Sequence, residues 1–98
     1  MFDWDEANIS HIAEHDVLPS ETEEVITSSP LDVGFELRNG EKRIRQVGET
    51  STGRILMVVS TMRGERIRVI TAYETSRLLR ATYLKYKELV KDGKENPS

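Results

Sequence analysis

The longest apolar run in the chain is Ile55-Leu56-Met57-Val58-Val59-Ser60-Thr61-Met62, and it leaves a folded chain few choices. It is far shorter than the roughly 20 apolar residues of a membrane span. It also lacks alternation, so neither of its sides can face water, and this predicts a central strand buried on both faces. A chain of 98 residues supplies one core of this kind and not two, so the remainder must act as its cover.

The flanking segments read as partner strands. After the tight turn Arg63-Gly64-Glu65, the residues from Arg66 to Ala72 alternate, with Arg66, Arg68 and Ile70 on one side and Ile67, Val69 and Thr71 on the other. Upstream, Asn39-Gly40 is a strong hairpin signal. It joins a strand from Leu31, whose Leu31, Val33, Phe35 and Leu37 are expected to form one half-buried face, to a strand from Lys42 to Glu49. That second strand places Arg43, Arg45 and Val47 on one face and Ile44, Gln46 and Gly48 on the other. Phe2 to Trp4 reads as a short edge strand.

Three helices complete the cover. Asp5 is a suitable N-cap for a helix running to about Glu14, held by the narrow stripe Ala7, Ile9, Ile12 and Ala13. A second is expected from Pro19 to about Thr27, with Ser20 as N-cap and Glu23 completing an S-x-x-E capping box, and Val25 and Ile26 facing the core. The third starts near Thr75 and carries Leu78, Leu79, Thr82, Tyr83, Tyr86, Leu89 and Val90, the stripe of a helix docked on a sheet. The expected fold is α+β: a small antiparallel β-sheet of about four to five strands with two N-terminal helices and one C-terminal helix. Residues 1–91 form the single domain, and 92–98, with nothing to bury, form a disordered tail.

Charge is distributed unevenly. Residues 1–37 hold ten Asp/Glu and no Lys or Arg, whereas residues 38–98 hold fourteen Lys/Arg against seven Asp/Glu, so halves of −10 and +7 give the net −3. Two readings follow. The cationic half can meet a polyanion, or the two halves can neutralise each other by packing face to face. With no cysteine, neither a disulfide framework nor a thiolate metal site is available, and the chain suits a reducing cytoplasm. The acidic opening MFDWDEAN is unlike a signal peptide, so a cytoplasmic protein without membrane contact is expected.

Several chemistries are excluded: there is no Gly-rich phosphate loop, no G-x-S-x-G elbow and no cysteine nucleophile. Arginine is the informative residue. Arg43 and Arg45 on one strand, Arg66 and Arg68 on another, and Arg77 and Arg80 on the last helix can converge on one face or rim. The planar guanidinium fork suits phosphate, although exposed strands carry Arg to resist aggregation as well. Tyr83 and Tyr86 lie on the apolar stripe and read as core, whereas Tyr73 is the accessible ring that can stack on a base. His11 and His15 are spaced i, i+4, the separation of a helical metal pair, though such a pair is more often a surface or helix-end feature, and a cationic imidazole is favoured near a helix C-terminus.

Taken in order, these segments resemble the BrnT family of toxins from bacterial type II toxin–antitoxin systems, over about residues 2–86. The resemblance rests on Phe2-Asp3-Trp4-Asp5, His15-Asp16-Val17, the acidic second helix, Glu41-Lys42-Arg43, Gly53-Arg54-Ile55-Leu56, Arg68-Val69-Ile70-Thr71-Ala72, and Arg80 with Tyr83. It implies a RelE-like fold and a ribonuclease that needs no cofactor or metal and blocks translation until a cognate antitoxin of the BrnA kind binds. It also implies a site for in-line attack by a ribose 2′-hydroxyl, for which Arg43, Arg68, Arg54 and Arg80 are the candidate catalytic residues and Arg45, Arg66, Tyr73 and Arg77 the candidate RNA-binding ones. Arg54, Arg68, Tyr73 and Arg80 are expected to meet at a common rim. The protein is expected to be a homodimer or a hetero-oligomer with its antitoxin. Where the family usually has Arg, Lys and Glu, this chain has Tyr73, Glu14 and Leu79. These departures and the pI near 5.4 favour a second reading, a non-catalytic protein-interaction or RNA-binding module that retains the fold.

Overall fold

A computed structural model describes residues 1–93. Two short helices, α1 (Glu6–Ala13) and α2 (Pro19–Thr27), precede four strands, β1 (Leu31–Arg38), β2 (Glu41–Glu49), β3 (Ile55–Arg63) and β4 (Arg66–Glu74), and a long helix α3 (Arg77–Gly93) closes the chain. The strands form one antiparallel sheet in the order β1-β2-β3-β4. The α+β class and all three helices are as expected. Helix α3 continues two residues past Lys91, and the remainder of the expected tail, 94–98, lies outside the described residues.

Strand β3 is buried from Ile55 to Thr61, and its alternation divides the core in two. Leu56 and Val58 join Ile12, Val17, Val25, Val69 and Ala72 beneath α1 and α2. Ile55, Met57 and Val59 join Val47 and Tyr83 beneath α3, with Leu31, Val33, Ile70, Leu79 and Tyr86 at the margin. Each aliphatic side chain fully buried in this way contributes about 1.5–3 kcal/mol. Gly48 allows α2 to lie close on the sheet, since a Cβ there would stand 2.9 Å from Val25 Cγ1.

The caps show how local chemistry sets the element ends. Asp5 accepts from Asn8 N–H at 3.1 Å while Asn8 Oδ1 accepts from Asp5 N–H at 2.8 Å, a reciprocal box. On α2 the expected Ser20 cap gives way. Pro19, with φ preset and no N–H to satisfy, takes the first helical position, Leu18 becomes N-cap, and Glu21 reaches back to Leu18 N–H at 2.9 Å. Glu23 instead accepts from Trp4 Nε1 at 2.8 Å. The α3 start is later than Thr75: Ser76 Oγ accepts from Leu79 N–H at 3.2 Å.

Two expectations of burial are corrected. A bulge at Val33 shifts the β1–β2 register between Asp32 and Gly34, so the second half of β1 presents its other side. Leu31 and Val33 therefore reach the α3 core, while Phe35 and Leu37 are 64% and 70% exposed. Among the described residues of α3 only Leu79, Tyr83 and Tyr86 are packed on the core, and Leu78, Leu89 and Val90 are exposed, because the stripe is wider than the sheet surface beneath it. The expected N-terminal edge strand reduces to one parallel bridge, Phe2 to Ile67.

Candidate functional site

Helix α1 lies along the outer side of β4, and the contacts between them follow both elements in the same direction. Asn8 Nδ2 donates to Val69 C=O at 3.2 Å and to Asp3 C=O at 2.9 Å, which anchors the start of the helix to the strand. A groove of about 340 Å³ opens there, lined by Ala7, Asn8, His11, Arg68, Val69 and Ile70. Farther along, the His11 and His15 rings meet edge to face at 5.9 Å, and His15 meets Tyr73 at 5.9 Å. Beyond Tyr73, Arg54 closes the row through Glu74 and the backbone of Asp16. From Arg68 to Glu74 this track is on the order of 20 Å long, at about 3.3 Å per strand residue.

The two arginines that bracket the track are held firmly. Arg68 pairs with Asp5 at 3.0 Å and Asp3 at 3.5 Å, and its hydrogen bond, with that from Asn8 N–H, draws the Asp5 carboxyl below its ordinary value. Arg54 Nη1 reaches both Glu21 oxygens at 2.8 Å and Asp16 C=O at 2.9 Å, and Nη2 reaches Glu74 at 3.2 Å. Burial alone would raise the Glu21 carboxyl, but Leu18 N–H and Arg54 outweigh it and the net shift is downward. Apart from Glu74, the carboxylates in these pairs come from the acidic N-terminal half and the arginines from the basic remainder, as face-to-face packing requires.

The eight candidate residues fall into two groups. Arg68 stands opposite Thr61, and continuing the β2–β3 register past Ile44 places Arg43 in that same row, two strands away and about 10 Å distant along the sheet. Arg45 is two residues inward, opposite Val59, and Arg66 is opposite Arg63 at the hairpin end. Arg43 is bound to Glu41 at 3.2 Å, which also takes Arg63 at 2.9 Å. Arg54, Tyr73, Arg77 and Arg80 occupy the opposite half, where β4 passes into α3. The expected common rim is thus a track rather than a point: β4 carries Arg68 at one end of it and Tyr73 near the other, where Arg54 joins. Arg45, Arg66, Arg77 and Arg80 are exposed and form no salt bridge among the described residues.

His11 and His15 meet partners from a distant strand. Their i, i+4 spacing marked them as a pair, but nothing in it placed Tyr73 against His15 or Arg68 on the same groove as His11. Among the described residues no group of three or more His, Asp or Glu is placed to hold a metal ion. Tyr73 is the accessible tyrosine, while Tyr83 is buried. Two imidazoles beside a guanidinium and an open aromatic ring can move a proton, bind an anion and stack a planar base.

A family model described as ribonuclease toxin, BrnT, of type II toxin–antitoxin system matches residues 4–78. No curated protein matches the chain.

Proposed function

This chain belongs to the BrnT family of ribonuclease toxins of type II toxin–antitoxin systems, and from that premise we propose that it cleaves RNA along the α1–β4 track. The observation that carries this placement is the run of Arg68, His11, His15 and Tyr73 along the β4 edge of the sheet. In the reaction a ribose 2′-oxygen attacks the adjacent phosphorus as the 5′-oxygen of the next nucleotide leaves. A neutral imidazole of the His11–His15 pair takes the 2′-hydroxyl proton, and the other, protonated, delivers one to the leaving oxygen. The products are a 2′,3′-cyclic phosphate and a 5′-hydroxyl. Arg68 supplies positive charge at the phosphate, with Arg43 in the same row, and Tyr73 offers a ring to a base. Arg54 holds the far end of the track, and Arg45, Arg66, Arg77 and Arg80 provide charge for the RNA backbone. No step requires a metal.

As a type II toxin, the protein has an antitoxin protein as its partner, and a BrnA-like antitoxin that covers the track would silence it. A second reading has its own support. Arg43, Arg54 and Arg68 are all paired with carboxylates of this chain, which suits a module that binds RNA or protein without cutting. Induced expression without antitoxin decides between them. Growth arrest with cleaved RNA, relieved by His15→Gln and by Arg68→Ala in variants that keep their circular dichroism, supports the nuclease. Harmless expression with intact RNA at low salt supports the module.

A further inference from the structure

The two outer strands of the sheet are treated differently. Along β4 the outer edge is occupied: Asp3 N–H donates to Ile67 C=O at 2.8 Å, Ile67 N–H to Met1 C=O at 2.7 Å, and Asn8 Nδ2 to Val69 C=O. Strand β1 has β2 on one side and, among the described residues, nothing on the other. Its turn, with φ of 53° at Asn39 and 79° at Gly40, is the left-handed two-residue type that makes Arg38 and Glu41 a doubly bonded pair. Pairing then alternates, so the N–H and C=O groups of Leu37 and Phe35 point outward from the sheet. The side chains of these two residues are also the exposed apolar ones. Edge strands are ordinarily blunted by charge, proline or cover at such positions.

We propose that β1 is a self-pairing edge, through which two copies of this chain join antiparallel about a two-fold axis at Leu37 to form a continuous eight-stranded sheet. Three such axes can be placed within Phe35–Leu37. An axis at Glu36 sets that carboxylate against its own copy, and like charges directly opposite are unfavourable. An axis at Phe35 runs into the bulge at Val33, where the strand cannot pair regularly. An axis at Leu37 puts Glu36 opposite Arg38 of the second copy and Arg38 opposite its Glu36, two complementary pairs made by symmetry. Leu37 then meets Leu37, and Phe35 meets Asn39. Within one copy Glu36 and Arg38 are already near partners at 3.8 Å, so the exchange separates no charge from its counterion.

Sedimentation equilibrium on the full chain without RNA or antitoxin tests this. The expected result is a concentration-dependent dimer that Glu36→Arg or Arg38→Glu alone weakens on the order of tenfold, and that the double variant restores because the charges exchange across the axis. The chain has no cysteine, so Leu37→Cys gives a clean second readout. The opposed Cα atoms, about 5.5 Å apart in a bonded antiparallel pair, lie within disulfide range. Oxidation should cross-link Leu37→Cys faster than Phe35→Cys. A monomer at every concentration, with β1 covered only in the antitoxin complex, overturns the proposal. So does a dimer that the charge reversals leave unchanged.

Discussion

Arg54 Nη1 donates to both carboxylate oxygens of Glu21 at 2.8 Å, and the same carboxylate accepts Leu18 N–H at 2.9 Å. One side chain therefore closes the first turn of α2 and fastens that helix to the start of β3. Glu21→Ala removes both functions and leaves a guanidinium that is only a quarter exposed with Glu74 and the Asp16 C=O as its remaining partners. A loss of about 2–3 kcal/mol is expected, on the order of 10 °C in Tm. Glu21→Gln keeps an acceptor for Leu18 and should cost less, which thermal unfolding of the two variants will show.

Acid should unfold this protein through the same kind of contact. Asp5 is lowered by the Arg68 hydrogen bond, Glu41 by that of Arg63, and Glu21 by Leu18 N–H and Arg54 against the opposing effect of burial. A carboxyl group lowered in the folded state contributes stability that is complete above its unfolded pKa and is lost as pH falls through the folded one. With ordinary values of 3.8 and 4.5 for these groups, the urea midpoint should drop as pH falls below about 4.5. Asp5→Asn should flatten that dependence while lowering stability at neutral pH.

Gly48→Ala tests the seating of α2. The added Cβ would meet Val25 Cγ1 at 2.9 Å, Val25 C=O at 3.3 Å and Pro30 Cβ at 3.4 Å. Val25 is fully buried and has nowhere to move. Chemical denaturation should show a loss of about 1–3 kcal/mol; an unchanged midpoint would mean that α2 rides more loosely on the sheet.

RNA binding should divide by residue type. Tyr73→Ala removes a ring that can stack, at about 1–3 kcal/mol per base, whereas Tyr73→Phe should bind nearly as wild type. Replacing Arg77 or Arg80 by Ala should reduce the salt dependence of binding by about one phosphate contact each, without changing which RNA is preferred. Filter binding of single-stranded RNA across salt concentrations separates the two effects.

Much of this architecture was legible because local signals agreed with the global fold. The apolar run of β3, the Asn39-Gly40 turn and the Asp5 cap each depend on a few neighbouring residues, and each formed as read. The misreadings of burial have one cause in common, that they required knowing what lay opposite, whereas the Ser20 cap gave way to a local competitor, Pro19 at the first helical position. Val33 bulges in response to β2, so Phe35 and Leu37 turned outward against their alternation. The apolar stripe on α3 was read at its full width, though the sheet covers only Leu79, Tyr83 and Tyr86. At the candidate site, arginine identity pointed to phosphate, but the carboxylates that occupy Arg54 and Arg68 come from distant segments, and so does the tyrosine beside His15.

The most direct test is cleavage by the purified chain of a single-stranded RNA, with chelator present and with the new ends identified. Wild-type protein should yield 2′,3′-cyclic phosphate and 5′-hydroxyl ends, the products of attack by the ribose 2′-hydroxyl with one imidazole as base and the other as acid. His11→Gln and His15→Gln should each reduce the rate by about 100-fold or more, leaving RNA binding and thermal stability near wild type. Cleavage at the wild-type rate by both variants, or ends of another chemistry, would contradict the assignment of the α1–β4 track as the ribonuclease site.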